Sequence, residues 1–235
     1  MSIRHTSFKH GWFYHYRLND HKINSLCNSN FQTLKKYLDV VFHDCPDHYF
    51  HSGPRGSSLK FNLNIDPVVI QGHEVSSLAK IGLDSERYKT AHSNVQIHML
   101  EQDSTTIGVE VPIWLLSHEL KQYKSIFETD EPLTGHIDVL RVEPDDKIWV
   151  WDFKPKATKE KYATTQTFFY ALMLSRRTNI PLSDFRCGYF DEKTAHVFQP
   201  SLDVFDSKKS CLTTFDVNEV KLDNKLKQKI PKVVS

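Results

Sequence analysis

Three acids and one lysine interrupt stretches of this sequence that otherwise read as buried β-strand. Glu110 stands in "VEVPI", Asp138 in "GHIDVL", and Asp152 with Lys154 in "WVWDFK", each among β-branched and aromatic neighbours. A carboxylate buried in such a strand is costly unless compensated, and a second one nearby raises the cost because like charges resist ionising together. The usual compensation is a cation. Three hard oxygen donors, with no cysteine and no obligatory histidine among them, suit Mg²⁺ or Mn²⁺ far better than Zn²⁺. Asp152 and Lys154 are two apart and share a strand face, so Lys154 falls beside such an ion, where it can orient or deprotonate a water.

The elements that must bring these residues together can be read from the pattern. "TTIGVEVPIWLL", "LTGHIDVLRV" and "IWVWDFK" read as three consecutive strands, the last two joined by the tight turn "EPDDK". With no helix between them they predict an antiparallel meander that gathers Glu110, Asp138 and Asp152 at one edge. Upstream, "HEVSSLAKIGL" and "SERYKTAHSNVQIHMLEQ" predict two helices, with Ser85 as N-cap of the second, which carries His92 and His98. Downstream, a helix is predicted from about Lys159 to Thr178, with Arg176 and Arg177 in its last turn where cations suit the dipole. Two short strands, "DFRCGYF" and "AHVFQP", follow. "NFQTLKKYLDVVFHD" predicts a helix near the N-terminus, and "KLDNKLKQKIPKVV" a basic helix at the C-terminus. The expected organisation is an N-terminal arm or cap over residues 1–70, a core over 71–200 and a C-terminal extension over 201–235.

Composition limits the function classes. The chain has 235 residues, 39% hydrophobic and 25% charged, which is enough to bury a sizeable core. Its formal charge of +1 shows no global basic excess, so any nucleic-acid surface must be local. There is no run of apolar residues long enough to span a membrane and no apolar leader, which gives the expectation of a cytoplasmic protein without membrane partners. Cys27, Cys45, Cys187 and Cys211 lie far apart with no C-x-x-C, so reduced thiols are expected rather than a disulfide frame or an Fe–S cluster.

The ordered set Gly135-x-x-Asp138, hairpin, Asp152-Phe153-Lys154, then a helix with Gln166-x-x-x-Tyr170, resembles the PD-(D/E)XK nuclease superfamily, and more narrowly its RecB-like branch. The resemblance covers roughly Tyr88 to Pro200. It implies an α/β, restriction-endonuclease-like core with a mixed central sheet flanked by helices, acting on DNA with Mg²⁺ or Mn²⁺. It assigns Asp138, Asp152 and the main-chain carbonyl of Phe153 to the metal and Lys154 to the attacking water. Glu110 matches an acid of the preceding strand, and Gln166 and Tyr170 match cleft residues that position the DNA backbone. The branch's upstream histidine falls first on His92, then His98, then His73, although the glycine that usually precedes it is missing. Lys156, Lys159 and Lys161 of "KPKATKEKY" sit where a phosphate backbone would run. Competing readings are a nucleic-acid-binding module that keeps the fold without turnover, and an adaptor in which the motif is accidental. The first would bind without cutting; the second would not bring the acids together.

Overall fold

The structure is a computed structural model that describes residues 2–28 and 30–206. In chain order its elements are β1 (Ile3–His10), β2 (Trp12–Asn19), α1 (Asp20–Leu26), α2 (Gln32–His43), β3 (Val68–Gln71), α3 (Glu74–Asp84), α4 (Ala91–Gln102), β4 (Thr106–Leu115), α5 (Tyr123–Phe127), β5 (Leu133–Glu143), β6 (Lys147–Phe153), α6 (Ala163–Thr178), β7 (Phe185–Phe190) and β8 (Thr194–Phe198). One eight-stranded sheet runs in the order β1-β2-β4-β5-β6-β7-β8-β3. Every neighbouring pair is antiparallel except β6 and β7, which are parallel because α6 crosses between them. The expected meander β4-β5-β6 is therefore present, and the sheet is mixed and flanked by helices as anticipated.

The apolar runs of β4, β5 and β6 do not alternate because both faces of the sheet are covered. On one side α2 and α6 contribute Leu34, Leu38, Val41, Phe168, Phe169 and Leu172 to the larger core. On the other, Val75 and Ala79 of α3 with Val95 and Met99 of α4 pack on Val109, Val139, Trp151 and Val197. Helix α6 is buried almost all round, since Phe61 and Phe205 cover its outer side against Phe168 and Phe169.

Three local expectations are corrected. Residues 1–70 supply the β1–β2 hairpin, which continues the central sheet by pairing with β4, and β3 closes the opposite edge; the sequence pattern predicts none of these strands. Ser85 does not open a helix. Its amide bonds to the Gly82 carbonyl and closes α3, while Asn94 holds Tyr88 through both main-chain groups, so α4 starts only after Thr90, whose hydroxyl caps the Ser93 amide. The helix expected from Lys159 starts at Ala163, because the Ala157 amide is tied to the Asp191 carboxylate and residues 157–159 form a separate turn. The predicted C-terminal helix and Cys211 lie outside the described residues.

Candidate active site

The cleft opens where β5 and β6 part. Their pairing runs from Glu143/Lys147 to Val139/Trp151, after which Asp152 and Phe153 pair only with Tyr189 and Phe190 of β7, while β5 stays with β4. The Phe153 amide, released from the ladder, donates to Asp138 Oδ2 at 2.9 Å, so the first acid is fixed by the strand that carries the second. Asp152 is 1% exposed. Its Oδ1 accepts from Gln166 Nε2 at 2.7 Å; its Oδ2 has the Lys154 ammonium at 2.7 Å but no aligned donor. Gln166 Nε2 also reaches the Tyr170 hydroxyl at 3.2 Å, the two residues lying one turn apart on α6. Tyr170 can lie flat on the floor because Gly56 and Gly135 face it: a Cβ on either glycine would collide with its ring. This is the physical content of the glycine three residues before Asp138.

Glu110 enters through a backbone irregularity. Its φ of 54° is left-handed in the middle of β4, a conformation that costs a non-glycine residue on the order of 1–3 kcal/mol and clusters at functional sites. The paired rows on either side, Val109 with Val139 and Val111 with Ile137, belong to opposite cores, although residues two apart in a regular strand share a face. The switch falls at Glu110 and Asp138. Gln96 Nε2 of α4 donates to Glu110 Oε1 at 2.6 Å. From the same helix, one turn earlier, His92 brings Nε2 to 3.8 Å from Asp138 Oδ2 and its ring edge-on to Phe153. His98 packs beside Gly82 of α3, and His73 caps α3 by accepting from the Val75 amide, so neither shares the cleft.

The cavity, about 220 Å³, is lined by Glu110, Asp138, Asp152, Lys154, His92, Gln166 and Tyr170, all singled out in the sequence. Its other wall was not foreseen. Tyr14, Arg55, Ser57 and His136 line it, with Arg55 Nη1 donating to the Tyr14 hydroxyl at 3.2 Å and the Tyr14 ring stacked on His136 at 3.6 Å. The concentration of aromatics and histidines in the N-terminal segment was the one sequence signal of that wall. Lys156, Lys159 and Lys161 are exposed on the turn after β6 and do not line the cavity.

Electrostatically the acids are under-compensated. Burial, then the charge of Asp138, pushes Glu110 above the usual carboxylate range despite Gln96. Burial and Asp138 push Asp152 upward as well, against the opposing charge of Lys154. The Lys154 ammonium is held above its ordinary pKa because Asp152 and Asp138 outweigh its own burial. A buried Oδ2 without an aligned donor, beside carboxylates that resist joint ionisation, fits a divalent cation held by oxygen. The acids are not drawn together into a closed three-ligand grip: among the described residues, three acid, histidine or cysteine ligand atoms come within 4.8 Å of one another at His10, Cys45 and Asp47.

A family model for the PD-(D/E)XK nuclease superfamily matches residues 67–234, from just before β3 through the sheet and beyond the described residues. No curated protein and no solved structure matches the chain. Members of the superfamily typically hydrolyse phosphodiester bonds with divalent metal ions, and none of the described helices is long and apolar enough to cross a membrane. With the acid pair, the D-x-K lysine and the Gln/Tyr helix meeting in one cleft of a restriction-endonuclease-like sheet, the chain belongs to the PD-(D/E)XK nuclease superfamily.

Proposed function

We propose that the protein is a metal-dependent deoxyribonuclease of the RecB-like type, hydrolysing DNA phosphodiester bonds with Mg²⁺ or Mn²⁺. The observation that carries this reading is the state of Asp152: buried, one oxygen fixed by Gln166, the other 2.7 Å from the Lys154 ammonium, in a cavity it shares with Asp138 and Glu110. Asp138, Asp152 and the Phe153 carbonyl would hold the ion, with Glu110 and His92 completing its surroundings. Such an ion supplies Lewis acidity toward a phosphoryl oxygen and makes water a stronger nucleophile near neutral pH.

The chain's own groups do the rest. Gln166 fixes the orientation of Asp152 and of the Tyr170 hydroxyl in one network, so the acid reaches its working geometry without reorganising. Lys154 places a positive charge where water enters and where negative charge develops on phosphate. Arg55, whose Nη2 is held by the His10 and Phe50 carbonyls and whose Nη1 donates to Tyr14, would bring a fixed positive charge to the phosphate from the opposite wall. Lys156 and Lys159, exposed on the turn just outside the cavity, would contact the phosphate backbone.

Cleavage of a panel of labelled single-stranded, duplex and branched DNA tests this. Wild type should cut in Mg²⁺ or Mn²⁺, stop in excess EDTA, and lose turnover on Asp152→Asn. Cutting in EDTA, or by Asp152→Asn at the wild-type rate, would remove the proposal. DNA binding without turnover under every metal condition would instead favour the non-catalytic module.

A further inference from the structure

Behind the pocket wall lies a second group of ligand-type side chains that the nuclease chemistry does not use. His10 ends β1, while Cys45 and Asp47 flank Pro46; each offers a ligand atom, and the three atoms lie within 4.8 Å of one another. None of them lines the acidic cavity. We propose that His10 Nε2, Cys45 Sγ and Asp47 Oδ1 form a separate zinc site that fastens the end of β1 to the 45–50 segment and so braces the N-terminal wall of the cleft.

Three features prepare the site. Cys45 and Asp47 are brought side by side by an inverse γ-turn: the Asp47 amide bonds to the Cys45 carbonyl at 2.8 Å across Pro46, whose φ of −75° and ψ of 71° are the values that turn requires. The His10 ring is clamped between two aromatic planes, Phe8 at 5.2 Å and 3° and Phe50 at 3.9 Å and 9°, so its direction is set before any ion arrives. Its far nitrogen is also held, since His10 Nδ1 lies 2.9 Å from His136 Nε2, the outer partner that metal-binding histidines usually have. Adjacent ligands around tetrahedral zinc sit about 3.3–3.6 Å apart, given bond lengths of about 2.0–2.3 Å, so side-chain adjustments of about an ångström close the set. The donor types differ from those of the cleft. A thiol, an imidazole and one carboxylate select zinc, whereas the cleft offers hard oxygen.

A carboxylate can only accept, so in the metal-free chain His10 carries its proton on Nε2, 2.9 Å from Asp47 Oδ1, and accepts at Nδ1 from His136 Nε2–H. When zinc takes His10 Nε2, the His10 proton shifts to Nδ1 and is donated to His136 Nε2, and the His136 proton correspondingly shifts from Nε2 to Nδ1. Cys45 forms its zinc bond as thiolate. A free thiol is mostly protonated near neutral pH, so one proton leaves for each zinc bound. The ion thereby changes which nitrogen of a cleft-lining ring, His136, carries hydrogen.

Co²⁺ titration of the full chain under a non-thiol reductant tests the site. A thiolate-to-cobalt charge-transfer absorption saturating at one per chain is expected, bleached by an equivalent of Zn²⁺, with one proton released per zinc. The absorption should vanish in Cys45→Ser and persist in Asp138→Asn/Asp152→Asn, because the acidic cleft contains no sulfur; the result is thus independent of whether the nuclease reading holds. No such absorption in folded wild type, or an undiminished one in Cys45→Ser, overturns the proposal. Should Cys45→Ser not fold, Asp47→Asn decides: at least tenfold weaker Co²⁺ binding supports the site and unchanged affinity overturns it.

Discussion

Two clusters of buried charge lie three residues apart on β5 and are treated in opposite ways. Arg141 is fully compensated. Its guanidinium meets Asp103 at 2.9 and 3.2 Å, Thr105 at 2.7 Å, Glu143 at 3.1 Å and Glu74 at 3.3 Å. Burial would raise the Asp103 carboxyl, but Arg141, Thr106 and the Thr105 amide outweigh it and hold it low. Around Asp138 the balance is reversed: Glu110 and Asp152 are raised, Oδ2 of Asp152 lacks an aligned donor, and one lysine faces three acids. A buried charge supplied with fixed donors is part of the scaffold. Acids buried without enough of them store unfavourable energy that a mobile cation can relieve, and that is what distinguishes a site from a strut.

The contrast is broken most directly by exchanging roles. Asp152→Asn should lower cleavage about 10⁴-fold, a barrier increase of about 5.5 kcal/mol, while leaving the unfolding free energy unchanged or raised by about 1 kcal/mol because like-charge crowding is relieved. Single-turnover rates and urea melts read both numbers; a parallel loss of stability would make Asp152 scaffold. Arg141→Ala should do the reverse and cost about 3–5 kcal/mol of stability, since it strands Asp103 in the interior. A melt superimposable on wild type would show that the network contributes little.

The scaffold cluster also carries a pH signature. Burial, then the nearby Arg141 charge, lowers His73 to about 4 from a reference of 6.5. The unfolded chain therefore takes up this proton at higher pH than the folded chain, and stability falls as pH drops from about 6.5 to about 4, by roughly 2–3 kcal/mol, then levels off. His73→Asn retains a side-chain acceptor for the Val75 amide and should lack this component. The difference between the two proteins' unfolding free energies at pH 7 and 4.5 measures it, and equal differences would contradict the assignment. The smallest effect belongs to the exposed lysines beside the cleft. Charge reversal at Lys156 and Lys159 should weaken DNA binding in Ca²⁺ without regard to sequence and reduce the salt slope by roughly one for each phosphate no longer neutralised; unchanged slopes would leave them a solvated turn.

The acids and Lys154 stood out in the sequence because each sets a charge within an apolar strand, whereas Gln166, Tyr170 and His92 were singled out by the resemblance to the superfamily's ordered motifs. Neighbouring strands and a helix following directly need few assumptions to bring such residues together. Gln96 carried no comparable signal, being one polar residue on a helix with several, and its role exists only because α4 lies across β4.

What the sequence determined by itself was the meander, the following helix and the polar residues they carry, since hydrophobic period and turn chemistry are local properties of the chain. Tertiary structure alone decided the rest. It made β1 and β2 part of the sheet, brought Tyr14, Arg55 and His136 to the opposite wall, and parted β5 from β6 at Trp151 so that the Phe153 amide turns to Asp138. It also set Glu110 in a left-handed conformation and placed His10 beside Cys45 and Asp47. These pairings join residues far apart in the chain. No local period encodes them, because their energies arise only once two distant surfaces exclude water together.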